Sequence, residues 1–258
     1  MDELNNILKK FETLSLNDLN KIKLMNRIDT KFVLNKSHLS LFLKQLSTNY
    51  KVLFVNEAFY TSYKTQYYDT VNFDLYHSHH NGLSPRYKVR HRNYVESNAA
   101  FLEVKLKTNK GRTLKKRIEH PIIQPNCFEK ENSFILTNTP YQPENLISSV
   151  LINYKRITLF NWSSKEKITV DFELSFSNKS NNCQLHNLII VEVKQALKEK
   201  TTALTLLKEL AIKPISFSKY CMGVTQLYPS VKKNNFKQKL VTLNKLLNNV
   251  SLSHTTSF

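Results

Sequence analysis

The sequence predicts an α+β fold: about eight antiparallel strands, each with one charged and one apolar face, accompanied by flanking helices. Three observations carry this. Residues 101–107 read Phe-Leu-Glu-Val-Lys-Leu-Lys, and residues 189–195 repeat the theme as Ile-Ile-Val-Glu-Val-Lys-Gln. Side chains alternate across a strand, so Glu103, Lys105 and Lys107 share one side while Leu102, Val104 and Leu106 share the other. Glu192 and Lys194 stand likewise against Val191 and Val193. The same alternation recurs along the chain. Finally, a hydrophobic content of 41% with 15 Phe and 12 Tyr supplies a core for 258 residues, a length that suits one large domain or one with appendages.

In order, residues 1–25 carry apolar positions at helical spacing (Leu4, Ile7, Leu8, Phe11, then Leu16, Leu19, Ile22) and predict two short helices. A strand follows with Arg27, Asp29 and Lys31 on one face. Ser37 is placed to cap a helix through about Gln45, with Leu39, Phe42, Leu43 and Leu46 as its buried stripe. Lys51–Asn56 and Tyr60–Tyr68 read as strands. His77, His79 and His80 then fall in an expected solvated loop, because no carboxylate or cysteine joins them at metal-ligand spacing. Pro85–Tyr94 is the most basic strand: Arg86, Lys88, Arg90 and Arg92 face one way, Tyr87, Val89 and His91 the other. Leu114–Glu119 carries Lys115, Arg117 and Glu119 on one side. A short helix is expected around Glu144–Leu151, then strands at Asn153–Phe160, with Tyr154 and Arg156 together, and at Ile168–Leu174. The latter groups Lys167, Thr169, Asp171 and Glu173. Beyond the 189–194 strand come an amphipathic helix over Leu197–Ile212 and a last helix from Phe217 to about Leu227. The expected organisation is a helical segment at 1–25, the strand-bearing domain at 26–228, and a basic, frayed tail at 229–258.

Charge narrows the partners. Thirty-eight Lys and Arg against 20 Asp and Glu give a net charge of +18, which attracts polyanions: nucleic acid, an anionic membrane surface or a phosphate-rich small molecule. Only 3 Gly are present and no glycine-rich phosphate loop occurs, which disfavours the common ATP-binding folds. The 3 cysteines, Cys127, Cys183 and Cys221, fit free thiols in a reducing cytoplasm. The polar N-terminus lacks a signal-peptide core and no stretch has the length of a membrane span. A cytoplasmic protein, at most peripheral to the inner face of a membrane, is expected.

Two arrangements suit strands with charged faces. If they curl into one antiparallel barrel, Lys31, Arg90, Arg92, Lys105, Lys115, Arg117, Arg156 and Lys167 project inward. So many cations cannot be buried unpaired, so the barrel must be wet or hold a polyanion, of which a linear phosphate chain is the natural one. If the charges face outward instead, the sheet is a nucleic-acid-binding surface.

Nine short motifs occur in order: Arg27-x-Asp29-x-Lys31-Phe32, Tyr68-Asp69-Thr70, Lys88-Val-Arg90-His-Arg92-Asn-Tyr94, Glu103-Val-Lys105, Leu114-Lys-Lys-Arg117, Tyr154-Lys-Arg156, Ile168-Thr-Val-Asp171, Glu192-Val-Lys194 and Phe217-Ser-Lys219-Tyr220. Over about residues 25–225 the chain thereby resembles the VTC domain, the polyphosphate polymerase branch of the triphosphate tunnel metalloenzymes (the CYTH-like superfamily). The resemblance implies an eight-stranded antiparallel barrel, and transfer of the ATP γ-phosphate to a growing inorganic polyphosphate chain. It implies a divalent metal, Mn²⁺ for preference or Mg²⁺. Lys31, Arg90, Arg92, Lys105, Lys115, Arg156 and Lys219 match phosphate-gripping positions, Tyr154 and Ser218 match hydroxyls of the same site, and Glu192 matches the metal-holding carboxylate. Arg117, Lys167 and Lys194 join as substrate-binding candidates. Glu103 is either a second metal ligand or an ion-pair partner of neighbouring cations; Asp171 and Glu173 read as ion-pair acids.

Three departures stand out. Lys167 replaces an arginine, which keeps charge and loses the fork. Ser216 stands where the eukaryotic pattern has a lysine. Arg27-x-Asp29-x-Lys31 replaces the Glu-x-Glu-x-Lys of hydrolase relatives, and fewer acids favour one metal and polymerisation or binding over two-metal hydrolysis. The alternatives are therefore a triphosphate or polyphosphate hydrolase and a non-catalytic polyphosphate-binding module. ATP and polyphosphate are the expected partners, nucleic acid is not, and any membrane complex would need a separate membrane subunit. Replacing Arg90 and Arg92 is expected to harm turnover more than folding.

Overall fold

The computed structural model describes residues 2–21, 27–120, 129–197 and 199–248. Among these, eleven strands join one sheet. Eight form its continuous path, in the order β2 (Ile28–Asn35), β11 (Leu188–Gln195), β9 (Glu166–Ser177), β8 (Ile147–Asn161), β4 (Thr61–Asp69), β5 (Arg86–Tyr94), β6 (Ala99–Lys107) and β7 (Thr113–Glu119). Every pairing along this path is antiparallel. The sheet curls so that β2 and β7 line the same cavity, but these end strands are not paired with each other. Three short strands decorate it: β1 (Glu12–Leu14) runs parallel to β3 (Lys51–Leu53), which pairs with β8, and β10 (Asn182–Leu185) pairs with β9.

The alternation in the sequence explains the layers. Outward residues of β2 (Phe32, Leu34), β11 (Ile189, Val191, Val193), β9 (Ile168, Val170) and β8 (Ile157, Leu159) pack under helices α1 (Asp2–Leu8), α3 (Leu39–Leu46) and α6 (Thr202–Glu209). Val89, Leu102 and Val104 of β5 and β6 pack with Leu75 of α4 (Asp74–His80) and Ile135 of α5 (Glu129–Asn138). On the inner face, each long strand changes character midway. Strand β8 runs Val150, Ile152, Tyr154, Arg156, Thr158, and β11 runs Leu188, Ile190, Glu192, Lys194. The apolar halves enclose helix α7 (Lys219–Leu227), whose Tyr220, Met222, Val224 and Leu227 are buried there with Leu174 and Phe176. The charged halves remain open as the cavity. Asp69 ties the two ends of this arrangement: its carboxylate accepts the backbone N–H groups of Leu75 and Tyr76 at 2.9 Å each, and the Tyr220 hydroxyl.

Several local expectations are corrected. Glu12–Leu14 is a strand between α1 and the short helix α2 (Leu16–Lys21), because it finds a partner in β3. The His77–His80 segment is helix α4, not a solvated loop: His80 is buried against Tyr76 and Phe236 and receives the Asn235 backbone N–H. A single 3₁₀ turn at Pro143–Asn145 replaces the expected helix, and β8 begins at Ile147 because Val150 and Ile152 continue its inner apolar row. Helix α6 starts later than Leu197, at Thr202, where Thr201 accepts the Leu204 N–H and donates to buried Glu166. Residues 237–248, expected as frayed tail, form helix α8 (Lys237–Asn248), docked through Leu243 and the bond from Asn35 Nδ2 to the Leu246 carbonyl at 2.7 Å. Cys127, residues 22–25 and residues 249–258 lie outside the described residues; Cys183 and Cys221 are free thiols. Among the described residues no helix is long and apolar enough to cross a membrane.

Candidate active site

The charged halves of the inner strands surround a cavity of about 660 Å³. Twelve lysines and arginines and only four acids (Asp29, Glu96, Asp171 and Glu192) line it among the described residues. Alternation from β2 brings in Asp29 and Lys31, from β11 Glu192 and Lys194, from β9 Lys167, Thr169 and Asp171, and from β8 Tyr154 and Arg156. Strand β5 contributes Lys88, Arg90 and Arg92, β6 Lys105, β7 Lys115 and Arg117, and the start of α7 Ser218 and Lys219.

Three carboxylates organise the cations. Glu192 meets Lys31 Nζ at 3.1 Å from its partner strand and also pairs with Lys194 on its own strand. Asp171 receives Arg156 Nε at 2.5 Å and Nη2 at 2.8 Å, and Lys219 as well. Burial alone would raise the Asp171 carboxyl, but Arg156 and Lys219 outweigh it and hold the group at about 2. Burial likewise opposes ionisation of Glu192, and Lys194 and Lys31 overcome it, keeping that carboxyl far below its ordinary range. Glu103 is fully buried and absent from the cavity wall. Arg90 reaches back to it from the wall, Nε at 2.7 Å and Nη2 at 2.6 Å, and Lys115 pairs with its other oxygen. Of the two roles open to Glu103 in the sequence, the geometry gives it that of ion-pair partner.

Arg27 pairs with Asp29 at 2.9 Å, whereas Lys88, Arg92, Lys105, Arg117 and Lys167 have no carboxylate at salt-bridge distance among the described residues. Arg92 lies over the Tyr63 ring, 5.3 Å from its centroid, and Arg117 over Phe101 at 4.3 Å. Arg90, burial and then Arg92 push the Lys105 amine well below the lysine range. Burial, then Lys194 and Arg156, bring Lys167 down to about 8. These are cations in search of an anion. Tyr154 stacks on Tyr63 at 4.9 Å and 6°, carries Lys219 Nζ 4.6 Å from its ring centroid, and keeps a buried hydroxyl without a hydrogen-bond partner. Ser218 caps α7 by accepting the Cys221 N–H, and accepts Lys88 Nζ at 3.0 Å.

All the phosphate-gripping candidates from the sequence therefore converge on one cavity. Sequence reasoning passed over Lys88, although alternation from Arg90 selects it, and over Tyr63 and Thr169, whose types carry no charge signal. Glu173, grouped with Lys167 and Asp171, turns away and pairs with Lys155 at 2.8 Å. The register shift between Asn153 and Lys155 on the neighbouring strand breaks the simple alternation there. Arg86, grouped with Lys88, turns aside too and donates to the Leu83 carbonyl.

With this geometry in hand, comparison with known proteins gives the following. The family model of the VTC domain matches residues 26–228. No curated protein matches the chain. Among solved structures, a candidate adenylyl cyclase from Hippeastrum, reported to have a dominant triphosphatase activity, is similar over 79% of this chain and 97% of its own, with 13% identity and a TM-score of 0.49. A candidate adenylate cyclase from Bacillus halodurans is similar over 79% of this chain and 100% of its own, at 12% identity and a TM-score of 0.45. A protein from Pyrococcus horikoshii is similar over 77% of this chain and 96% of its own, at 12% identity and a TM-score of 0.43.

Proposed function

The chain belongs to the VTC domain family, and from that premise we propose that it transfers the γ-phosphate of ATP to a growing inorganic polyphosphate chain held in the basic cavity. The observation that carries the reading is the imbalance of the wall, twelve cations to four acids among the described residues, with Arg92, Lys105 and Lys167 lacking a carboxylate partner among them. Cations packed this densely repel one another, and a phosphate chain relieves the repulsion along its whole length.

The chemistry asks little beyond positioning and charge neutralisation, since the transferring phosphoryl group passes through a loose transition state. Arg156, locked by Asp171 through its Nε edge, presents a preset Nη fork that costs little reorganisation, and Arg90, held by Glu103 and the Tyr67 hydroxyl, contributes a fixed charge. Lys105, Lys167 and Lys219 supply point charges, Lys31, Arg92, Lys115, Arg117 and Lys194 extend the grip, and Ser218 and the Tyr154 hydroxyl offer hydrogen bonds. Donor and acceptor phosphates held in line by such a ring gain the advantage of an intramolecular reaction.

The donor set suits a single divalent ion. Glu192 is a cavity-wall carboxylate, and no three Asp, Glu, His or Cys side chains among the described residues could hold a metal by themselves. Mg²⁺ and similar hard ions commonly take one or two carboxylates plus substrate phosphates. Glu192 would hold the ion, which when bound would neutralise charge on the transferring group.

Incubation with ATP and Mn²⁺ or Mg²⁺ tests the reading. Long polyphosphate with ADP is the expected product; orthophosphate alone means hydrolysis, and no turnover leaves a binding module. Glu192→Gln should abolish turnover while metal-free tripolyphosphate binding survives, because Lys31 and Lys194 lose their competing carboxylate.

A further inference from the structure

Strand β9 carries an extra residue. Only Tyr154 stands between Asn153 and Lys155 of β8, whereas Glu173 and Leu174 both stand between the partners of that pair, Phe172 and Ser175. Glu173 makes the bulge, with φ at 52°, in the left-handed region that a glutamate rarely enters. The bulge falls where β9 changes neighbours: Lys167–Asp171 pair with β11, and Leu174–Ser177 pair with β10.

It also changes which side chains face inward. Before it the inner row is Lys167, Thr169 and Asp171, on the cavity wall; after it the row is Leu174 and Phe176, packed with Tyr220 and Met222 of α7. Strict alternation would have run the first row on through Glu173 and Ser175, turning Leu174 and Phe176 outward. Helix α7 would then lose that floor, and Lys219 in its first turn would lose the seat from which it meets Asp171. The bulge is therefore the joint between the charged and apolar halves of the sheet. It is fastened from the outer side. Lys155 Nζ meets the Glu173 carboxylate at 2.8 Å and lies 5.3 Å from the centroid of the Tyr60 ring, which meets Phe172 edge-on at 5.6 Å. Neither Lys155 nor Glu173 belongs to the described cavity wall.

A glutamate in a conformation that favours glycine needs a compensating contact, and such strain gathers where geometry serves function. Resting on the reading of the cavity as a phosphate site, we infer that Glu173 is a positioning residue: paired with Lys155 behind the sheet, it holds the bulge that sets Tyr154, Arg156 and Lys219 in register on a bound phosphate chain. Tyr154 stands directly opposite the bulge, and Arg156 and Lys219 are tied to it through Asp171.

Tripolyphosphate titrations and thermal melts of the full chain, without metal, test this in Glu173→Gly, Lys155→Met and the exchanged pair Lys155→Glu/Glu173→Lys. Glycine accepts this φ without strain and the lost ion pair is partly exposed, so the melting temperature of Glu173→Gly should stay within a few degrees of wild type. Its affinity for tripolyphosphate should nonetheless fall about tenfold, within the range for residues coupled in one network. The sign is diagnostic, because loss of a carboxylate acting by charge alone would strengthen binding of an anion. Lys155→Met should match that loss, and it reads the same fastening if Glu173→Gly does not fold. The exchanged pair should recover most of the affinity. Unchanged or stronger binding by Glu173→Gly, or an exchanged pair no better than the single variants, overturns the positioning role and leaves the phosphate site standing. A wild type with no affinity for tripolyphosphate overturns the phosphate reading and this inference with it.

Discussion

Arg156 grips Asp171 across the β8–β9 pair with one edge of its guanidinium, Nε at 2.5 Å and Nη2 at 2.8 Å, and Lys219 closes on the same carboxylate from the first turn of α7. One buried acid thus joins two strands and the helix that fills the apolar half of the curled sheet, and its two cations face the cavity. Asp171→Asn should cost about 3–5 kcal/mol in the ligand-free protein, because two cations are left without a counter-charge. Tripolyphosphate should restore much of the lost melting temperature by replacing that charge. The acid limb follows from linkage. Asp171 titrates at about 2 in the fold against 3.8 ordinarily, so its contribution is whole above about pH 4 and disappears as pH falls through about 2. Thermal melts with and without tripolyphosphate decide it; a variant as stable as wild type without ligand removes the role given to Asp171.

Arg90 and Arg92 part company. The sequence treats them as one pair that turnover needs more than folding does, but only Arg90 is tied to a fully buried carboxylate. Arg90→Ala leaves the buried Glu103 with Lys115 as its one remaining cation and should destabilise by about 3 kcal/mol, with Glu103→Gln in the same chain recovering part of the loss. Arg92→Ala removes a cation that has no acid partner, and should leave the melting temperature within a few degrees while weakening tripolyphosphate severalfold. Equal destabilisation by the two single variants would contradict this division.

Lys167 sets an alkaline limit on binding. Its amine titrates at about 8 because burial, Lys194 and Arg156 all disfavour its charge. Between about pH 8 and 10.5 the unfolded chain carries the extra proton, so ligand-free stability should rise with pH across that window. Phosphate binding runs the other way, since the charged amine attracts the ligand, and affinity should fall severalfold as pH rises through about 8. Lys167→Arg keeps its charge and flattens that fall. Tripolyphosphate titrations of both proteins from pH 7 to 9.5 cancel the ligand's own ionisation; identical pH profiles would rule Lys167 out as the cause.

What the sequence made legible is what strand alternation controls. Lys31, Arg90, Lys105, Arg156 and Glu192 sit on inner faces because their apolar neighbours need the outer helices, and that is a rule of period two. Three things escaped it. Glu173 left the row at a register shift, which depends on pairing with β8 and has no local signal. Whether Glu103 faces the cavity or hides behind its wall is decided by Arg90 and Lys115 on neighbouring strands, not by its position in β6. The filling of one barrel end by α7 was visible in principle, because the inner row of β8 changes from Val150 and Ile152 to Arg156. Reading only the charged half of that row suggested a core hollow throughout.

Gly223 shows how tightly that filling is made. A Cβ built on it would stand 2.7 Å from Val150 Cγ1 and 3.1 Å from Phe176 Cδ1, both inner-row side chains buried from solvent. Valine is stiff at χ1 and cannot swing aside within a packed strand, so Gly223→Ala must lift α7 from β8. Overpacking of this kind costs about 1–3 kcal/mol. The lift also moves Ser218 and Lys219 at the start of the helix, so tripolyphosphate affinity should drop together with stability. Val150→Ala in the Gly223→Ala background makes room for the added methyl and should recover both quantities in part, where Val150→Ala alone is destabilising. A double-mutant cycle measures that coupling directly. Simple additivity of the two substitutions would mean that the helix is not seated on Val150 as described.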